Sequence, residues 1–391
     1  MITRKVEKLV GTLLRGFPIV TITGPRQSGK TTLAKAIMAD KPYISLEDPD
    51  IRALATDDPR GFLSRFPDGA VLDEVQRVPD LFSYLQSFVD SDGRMGLFLL
   101  TGSQQFGLLS AITQSLAGRS AFVELLPFSM DELDAAGKLS TDLDTVLFSG
   151  SYPPLYDRPL SPGTWFPAYV TAYVERDVRQ LLNVQDLETF QRFVRMCAGR
   201  SGQILNLSSL ATDCGITHNT AKSWVSVLEA SYLLFRLRPH HRNFNKRLIK
   251  SPKIYFNDSG LLCWLLGIHE ASQLATHPLR GQIFETFIIS ELRKLFLNHG
   301  APVNFHFWRD SNGMEIDLLI GKGGQLIPVE IKSGQTVNRD FFFGLERWLA
   351  LAGELAVDPA LIFGGNGEQM RKGIRVLGWE RLASVTTFNQ Q

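Results

Sequence analysis

Only three of the 391 residues are cysteine, Cys197, Cys214 and Cys263, and they lie far apart. That scarcity excludes a disulfide framework, and the missing paired spacing excludes zinc sites and redox dithiols of the usual kind. A reducing cytoplasm is the expected setting. An excess of one charge sign is lacking too: 41 Lys and Arg stand against 40 Asp and Glu, a net of +1. No whole-molecule field draws in nucleic acid or anionic lipid, so such a partner has to be met by a local patch. Long hydrophobic runs are also missing. The densest, Leu261 to Ile268, is far too short to span a bilayer. From Met1 to Gly16 the apolar positions are broken by Arg4, Lys5, Glu7, Lys8 and Arg15, unlike the core of a signal peptide. No membrane partner is expected, and neither an internal repeat nor a low-complexity tract is visible.

What is present is a globular composition, 44% hydrophobic and 21% charged, in a chain long enough for two or three domains. The first 125 or so residues repeat a short apolar run, a turn and a segment with helical spacing. The predicted strands are Ile19 to Thr23, Tyr43 to Leu46, Ala70 to Leu72, Leu97 to Thr101 and Phe122 to Leu125. Such alternation predicts an α/β fold with a parallel sheet covered on both faces, and ligands at the carboxyl ends of its strands. A Pro-rich stretch from Tyr152 to Pro167 breaks the pattern, and helical spacing follows from about Trp165 to Cys197. Boundaries are therefore expected near residues 150 and 275, giving segments 1–150, 151–275 and 276–391.

Gly24-Pro25-Arg26-Gln27-Ser28-Gly29-Lys30-Thr31 matches G-x-x-x-x-G-K-[ST] in full, after a β-branched run and before the helix-prone Thr32 to Ala39. The spacing lets the loop wrap backbone N–H groups around phosphates, with glycines permitting close approach. Lys30 is expected to reach the β- and γ-phosphates of ATP, and the Thr31 hydroxyl to ligate Mg²⁺. The run Ala70-Val71-Leu72-Asp73-Glu74 ends a strand in two carboxylates. Asp73 is expected beside Thr31 and the metal, and Glu74 beside the attacking water. Ser103 or Gln104 follows the next strand and is suited to contact the γ-phosphate or the water, although an ordinary Gly-Ser turn reads the same way. Arg119 is a candidate for stabilising transition-state charge from a neighbouring subunit or domain, against the plainer reading of a surface arginine.

With Leu72-Asp73-Glu74-Val75-Gln76, Leu100-Thr101-Gly102-Ser103-Gln104, Leu116-Ala117-Gly118-Arg119 and Leu126-Pro127-Phe128-Ser129, the phosphate loop resembles the prokaryotic AAA-family ATPases. The subgroup is the one whose C-terminal domain of unknown function resembles PD-(D/E)XK restriction endonucleases. Tyr173-Val174-Glu175-Arg176-Asp177 is similar to the start of that family's C-terminal region, so the likeness spans nearly the whole chain. It implies an AAA-type sheet and an ATPase cycle, and supplies no cellular role.

In the middle, Leu207 to Ala211, Gly215-Ile216 and Ala221 to Leu228 have the apolar spacing of a helix-turn-helix, with Ser208 and Thr217 as expected N-caps. The second helix offers His218, Asn219, Lys222 and Ser223 to phosphates or base edges. Arg236 to Arg247, followed by Lys250 and Lys253, comes next with no acidic residue, placed where a winged-helix module carries its wing. Asn219, Lys222, Arg242, Lys246 and Arg247 are thus candidate DNA contacts. A rigid packing unit with a solvated basic hairpin is the competing reading.

From Gly281 the pattern reads helix, strand, turn, strand, helix. The helix carries Glu285, the strands are Glu315 to Ile320 and Leu326 to Lys332, and Gly321 to Gln325 is the turn. A hairpin of that shape brings Asp317 beside Glu330, while Lys332 shares Glu330's face. Two carboxylates and a lysine on one face can hold a hard cation and activate water against a phosphodiester. The D-(x)n-E-x-K arrangement is similar to the restriction-endonuclease-like superfamily, which implies Asp317 and Glu330 as metal ligands, Lys332 as catalytic lysine and Glu285 as the helix-borne acid. An amphipathic hairpin with a Glu-Lys surface pair is the plainer alternative. The whole reads as a Mg-ATP-dependent AAA-type ATPase that couples nucleotide to nucleic-acid engagement. Its rivals are an ATP-gated signalling switch with a protein partner and an inert docking domain, and a ring assembly that transports DNA.

Overall fold

The computed structural model describes residues 2–103, 116–175, 186–240 and 249–385. Its first sheet is made from five short runs. β1 (Ile19–Thr23), β3 (Ala70–Asp73) and β4 (Phe98–Gly102) are buried along their whole length. β2 (Tyr43–Ser45) is half-buried, and β5 (Ser120–Glu124) alternates as an edge strand does. The order is β2-β3-β4-β1-β5, with every pairing parallel. Separate apolar clusters cover the two faces, Leu72, Phe82 and Leu100 on one and Val20, Ile22, Leu33 and Leu99 on the other. All five strands expected from the sequence are found, with ends moved by one or two residues.

Insertion of β4 between β1 and β3 positions the site. The residues that follow β4 emerge between the phosphate loop at the end of β1 and the acidic pair at the end of β3.

Beyond the sheet, the helical stretch expected over 165–197 is observed where it is described, as the helix Pro162–Tyr169, a wider turn over Val170–Glu175 and the helix Leu187–Ala198, and 176–185 lie outside the described residues. The helix pair Leu207–Cys214 and His218–Ala230 follows, turning at Gly215 with φ +69°. Thr217 caps the second helix as expected, accepting from Thr220 N at 3.1 Å. The first is capped by Asn206, which accepts from Ser209 N at 3.0 Å, rather than by Ser208. The asparagine carbonyl starts the helix two residues before the serine is reached, so Ser208 is already inside it. Trp224 packs edge-on against Phe190 and Phe193, each at 5.1 Å, joining the pair to the preceding helix.

β6 (Leu234–Pro239) and β7 (Lys253–Phe256) form an antiparallel hairpin after that pair. β6 also runs parallel to β8 (Phe305–Arg309), which carries the hairpin into a larger sheet. That sheet continues through β9 (Glu315–Lys322), β10 (Gln325–Lys332), β11 (Ala360–Phe363), β12 (Glu368–Arg371) and β13 (Ile374–Gly378). Its order is β12-β13-β11-β10-β9-β8-β6-β7. The outline read from the sequence finds the helix Arg280–Asn298, β9, β10 and the helix Phe343–Ala352, but omits β8 and β11 to β13.

A buried polar chain ties the two sheets together. Arg4 donates to the carbonyls of Ser28 and Leu126, each at 2.7 Å, and to Glu132 at 3.0 Å. Two residues away, Met130 N donates to Glu291 at 2.7 Å, and Lys294 pairs with Glu291 at 2.6 Å and reaches Ser151 Oγ at 2.8 Å. Glu291 and Lys294 lie on the helix that carries Glu285. Each of these charges is buried and partnered, as burial of charge requires.

Candidate functional site

The loop between β1 and the helix Lys30–Ile37 is shaped by two glycines. Gly24 has φ +150°, and a Cβ there would lie 2.1 Å from the Leu125 carbonyl oxygen, so no side chain fits. Gly29 has φ +94° and turns the chain into the helix. Lys30 is buried and donates to the carbonyls of Gly24 and Pro25 at 2.9 and 2.8 Å, which places its ammonium inside the curve of the loop. Trp165 donates to Gln27 at 3.2 Å from the helix beyond the sheet. Ser28 is wholly buried, while Thr32 is exposed at the mouth.

Asp73 sits where β3 ends, 6% exposed. Its Oδ2 accepts from Thr31 Oγ1 at 2.9 Å and from the Tyr43 hydroxyl at 2.6 Å, and its Oδ1 accepts from Thr101. The Tyr43 phenol is held well above its ordinary range, by burial first and then by the bond to Asp73. Glu74 adopts left-handed backbone, φ +56°, and accepts from Ser103 on one oxygen and Gln76 on the other. A hydroxyl and a carboxylate 2.9 Å apart at the mouth of a glycine loop are a donor set that fits Mg²⁺.

The cleft over these groups holds about 300 Å³. Arg26, Lys30, Thr31, Glu74 and Ser103 line one side, and Pro153, Asp157 and Arg158 face them from beyond the sheet. Arg158 is exposed there. Sequence reasoning missed Tyr43, Thr101 and this second wall. Gln104 and Arg176 lie outside the described residues.

Arg119 is not brought to this cleft. The Ile19 N–H donates to its carbonyl at 3.2 Å, which fixes it beside the first residue of β1, at the end opposite the phosphate loop. Its guanidinium pairs with Asp90 at 2.5 Å.

At the second sheet the hairpin has the expected register, with Val329 opposite Leu318, so Asp317 and Glu330 are neighbours. Asp317 accepts from Ile331 N at 2.8 Å, and Lys332 pairs with Glu330 at 2.6 Å and with Asp317 at 3.7 Å. Glu285 joins them from its helix, where it accepts from Tyr255 at 2.5 Å and from Lys253 at 3.0 Å. Lys253, buried on β7, also pairs with Glu315. Glu330 is pushed up to about 8, by burial and then by Asp317, and Glu285 to about 7, by burial chiefly. Lys332 is held protonated: its acidic neighbours outweigh the cost of burial. Among the described residues, no group of three or more His, Cys, Asp or Glu has the geometry of a metal site. Lys253 was legible only as one more cation in a basic run.

On the helix His218–Ala230 both Asn219 and Lys222 are exposed. Arg242, Lys246 and Arg247 lie outside the described residues. No helix among the described residues is long and apolar enough to cross a membrane.

Compared with known proteins, residues 16–134 match the AAA domain family, residues 140–272 a domain of unknown function (DUF8612) and residues 280–382 another (DUF4143). The Walker-type ATPase PABY2304 of Pyrococcus abyssi, a solved structure, is 16% identical, covering 68% of this chain and 96% of that one at a TM-score of 0.45, too loose a likeness to add weight. The uncharacterized proteins Rv2008c of Mycobacterium tuberculosis and Mb2031c of Mycobacterium bovis are each 32% identical over 326 residues, 83% of this chain and 72% of theirs. The chain belongs to one family with these mycobacterial proteins, an AAA-type P-loop ATPase followed by two domains of unknown function.

Proposed function

We propose that this chain binds and hydrolyses Mg-ATP at the cleft between β1 and β3, and uses the nucleotide state to change how its C-terminal parts engage nucleic acid. One observation carries the first half: Lys30, Thr31, Asp73, Glu74 and Ser103 converge at the same end of three adjacent strands. Backbone N–H groups between Gly24 and Thr32, Pro25 having none, hold the phosphates, with Pro25, Arg26, Gln27 and Ser28 forming the arch. Lys30 exchanges its bonds to the loop carbonyls for phosphate oxygens. Thr31 and Asp73 would hold Mg²⁺, whose chemistry there would be to neutralise charge on the phosphoryl oxygens. Glu74 accepts one bond on each oxygen, from Ser103 and Gln76, which orients it and leaves about two lone-pair sites for the proton of an attacking water. Ser103 is thereby placed to report which state Glu74 is in. Arg119, at the far end of the sheet, serves a neighbouring subunit's cleft.

The second half draws support from the polar chain that runs from Ser28 through Arg4 and Glu132 to the helix of Glu285 and Glu291. In this reading 1–150 is the ATPase segment, 151–275 a helical and winged-helix segment with Asn219, Lys222, Arg242, Lys246 and Arg247 toward DNA, and 276–391 a restriction-endonuclease-like segment. Asp317 and Glu330 would be its metal ligands, with Glu285 and Lys332 beside them. The deciding experiment is ATP hydrolysis with and without duplex and single-stranded DNA. Stimulation by DNA supports coupling, and hydrolysis indifferent to both forms rejects it.

A second reading is favoured by Lys253 and Lys332, which already neutralise the acidic cluster from inside. It makes the C-terminal segment an inert docking surface in an ATP-gated switch. Mg²⁺- or Mn²⁺-dependent nicking of DNA that vanishes in Lys332→Ala would exclude it.

A further inference from the structure

Asp73 is the most heavily solvated carboxylate of the nucleotide cleft, and the solvent is protein. Three hydroxyls donate to it: Thr31 and Tyr43 to Oδ2, at 2.9 and 2.6 Å, and Thr101 to Oδ1. An ionised carboxylate offers about four lone-pair sites. Three are taken, and the remaining one is on Oδ1. Thr31 can keep donating its hydroxyl hydrogen while its oxygen turns to a cation, so Tyr43 and Thr101 are the two groups that fix which way Asp73 faces.

Tyr43 reaches Asp73 from an unusual direction. It begins β2 at the edge of the sheet and is paired in register with Val71, two residues before Asp73. Its hydroxyl must therefore climb roughly 6.6 Å along the strand direction, a reach that a phenol spans and a serine or threonine does not. The ring is held in turn by Lys35, whose ammonium lies 3.6 Å from the ring centroid and belongs to the helix that opens with Lys30 and Thr31. One tyrosine thus links the phosphate-loop helix to the acidic strand.

We propose that Tyr43 is a positioning residue for the metal: it holds Asp73 so that the free lone pair of Oδ1 stays turned toward the Mg²⁺ that Asp73 and Thr31 would hold. The proposal rests on the Mg-ATP reading of the cleft and adds to it a requirement for a phenolic donor on β2. The competing account is a half-buried edge tyrosine that merely fills space beside Val71.

Tyr43→Phe removes the donor and keeps the ring under Lys35. The test is the Mg²⁺ concentration that half-saturates ATP hydrolysis, with calorimetric affinity for ATP in EDTA and in excess Mg²⁺ as companions. We expect the half-saturating Mg²⁺ to rise about tenfold, the size of one hydrogen bond to a charged group. Affinity for ATP in EDTA should stay within about twofold, since no phosphate contact is lost. Thr101→Val, which strips the other oxygen, should shift the Mg²⁺ requirement in the same direction and serves if Tyr43→Phe does not fold. An unchanged Mg²⁺ requirement in folded Tyr43→Phe, with only a lower melting temperature, overturns the proposal while leaving the ATPase reading intact. A wild-type protein that binds no ATP at any Mg²⁺ level overturns both.

Discussion

At the end of β3 the carboxylate of Asp73 is met by three hydroxyls, whereas at the β9–β10 hairpin Asp317 and Glu330 face the ammonium of Lys332, and Glu285 that of Lys253. Hydroxyl donors orient a carboxylate and leave its charge unspent, so an incoming cation finds the full attraction. Ammonium groups spend that charge. A divalent ion entering the second cluster has to compete with cations already fixed there, in surroundings where each unit charge counts for more than in water. The two sites look alike as strings of acidic and basic letters, and differ in which of their neighbours carries a charge.

The largest effects should come from the open site. Lys30→Ala is expected to abolish nucleotide binding, and Glu74→Gln to bind ATP normally while turnover falls about 10²–10⁴-fold, as loss of a general base predicts. Single-turnover hydrolysis beside equilibrium binding separates the two. If Glu74→Gln turns over like wild type, the oriented pair at β3 is not the catalytic one.

The plugged site can be broken by removing a plug. Lys253→Met leaves Glu285 without its ammonium partner, while Glu315 keeps Arg309 at 3.0 Å, and should cost about 3–5 kcal/mol of stability in denaturant unfolding. Millimolar Mn²⁺ should recover part of that loss in the variant and do little for wild type. Equal Mn²⁺ stabilisation of both proteins would mean that Lys253 does not occupy the cation's place.

Proton occupancy sharpens the contrast further. Glu330 and Glu285 are raised to about 8 and about 7 in the folded chain, from an ordinary value of 4.5. Such groups contribute stability that is fully present below pH 4.5 and lost as pH rises through the folded values. In metal-free buffer the melting temperature should therefore fall between about pH 5 and pH 8.5, and Glu330→Gln should flatten the fall. A variant curve parallel to wild type removes Glu330 as the cause. The smallest expected effect is on the helix His218–Ala230: Lys222→Ala should reduce the salt dependence of DNA affinity by about one phosphate contact. An unchanged slope takes Lys222 off the DNA.

Much of this was legible because local chemistry and fold agreed. Ile19 to Thr23 is an unbroken β-branched and apolar run, and it is the strand found. The hairpin around Asp317 and Glu330 was readable from the glycines of its turn, which fix the register that brings the pair together. The misses at the two sites are non-local. Tyr43 meets Asp73 across 30 residues of sequence, through sheet order alone. Lys253 counted as a surface cation until β7 joined the second sheet and buried it. β11 joins β10 only across the intervening helix Phe343–Ala352, whereas the hairpin of β12 and β13 pairs locally and was simply not read, and Arg119 kept its plausible motif while the parallel register set it at the wrong end of β1 for its own cleft.

The most direct measurement is a calorimetric titration of Mg-ATP into the wild-type chain and into Lys30→Ala. Saturable binding to one site, lost in the variant, is the result expected if the loop after β1 and the carboxylates after β3 serve one nucleotide. No binding by wild type, or the same isotherm from both proteins, would contradict it.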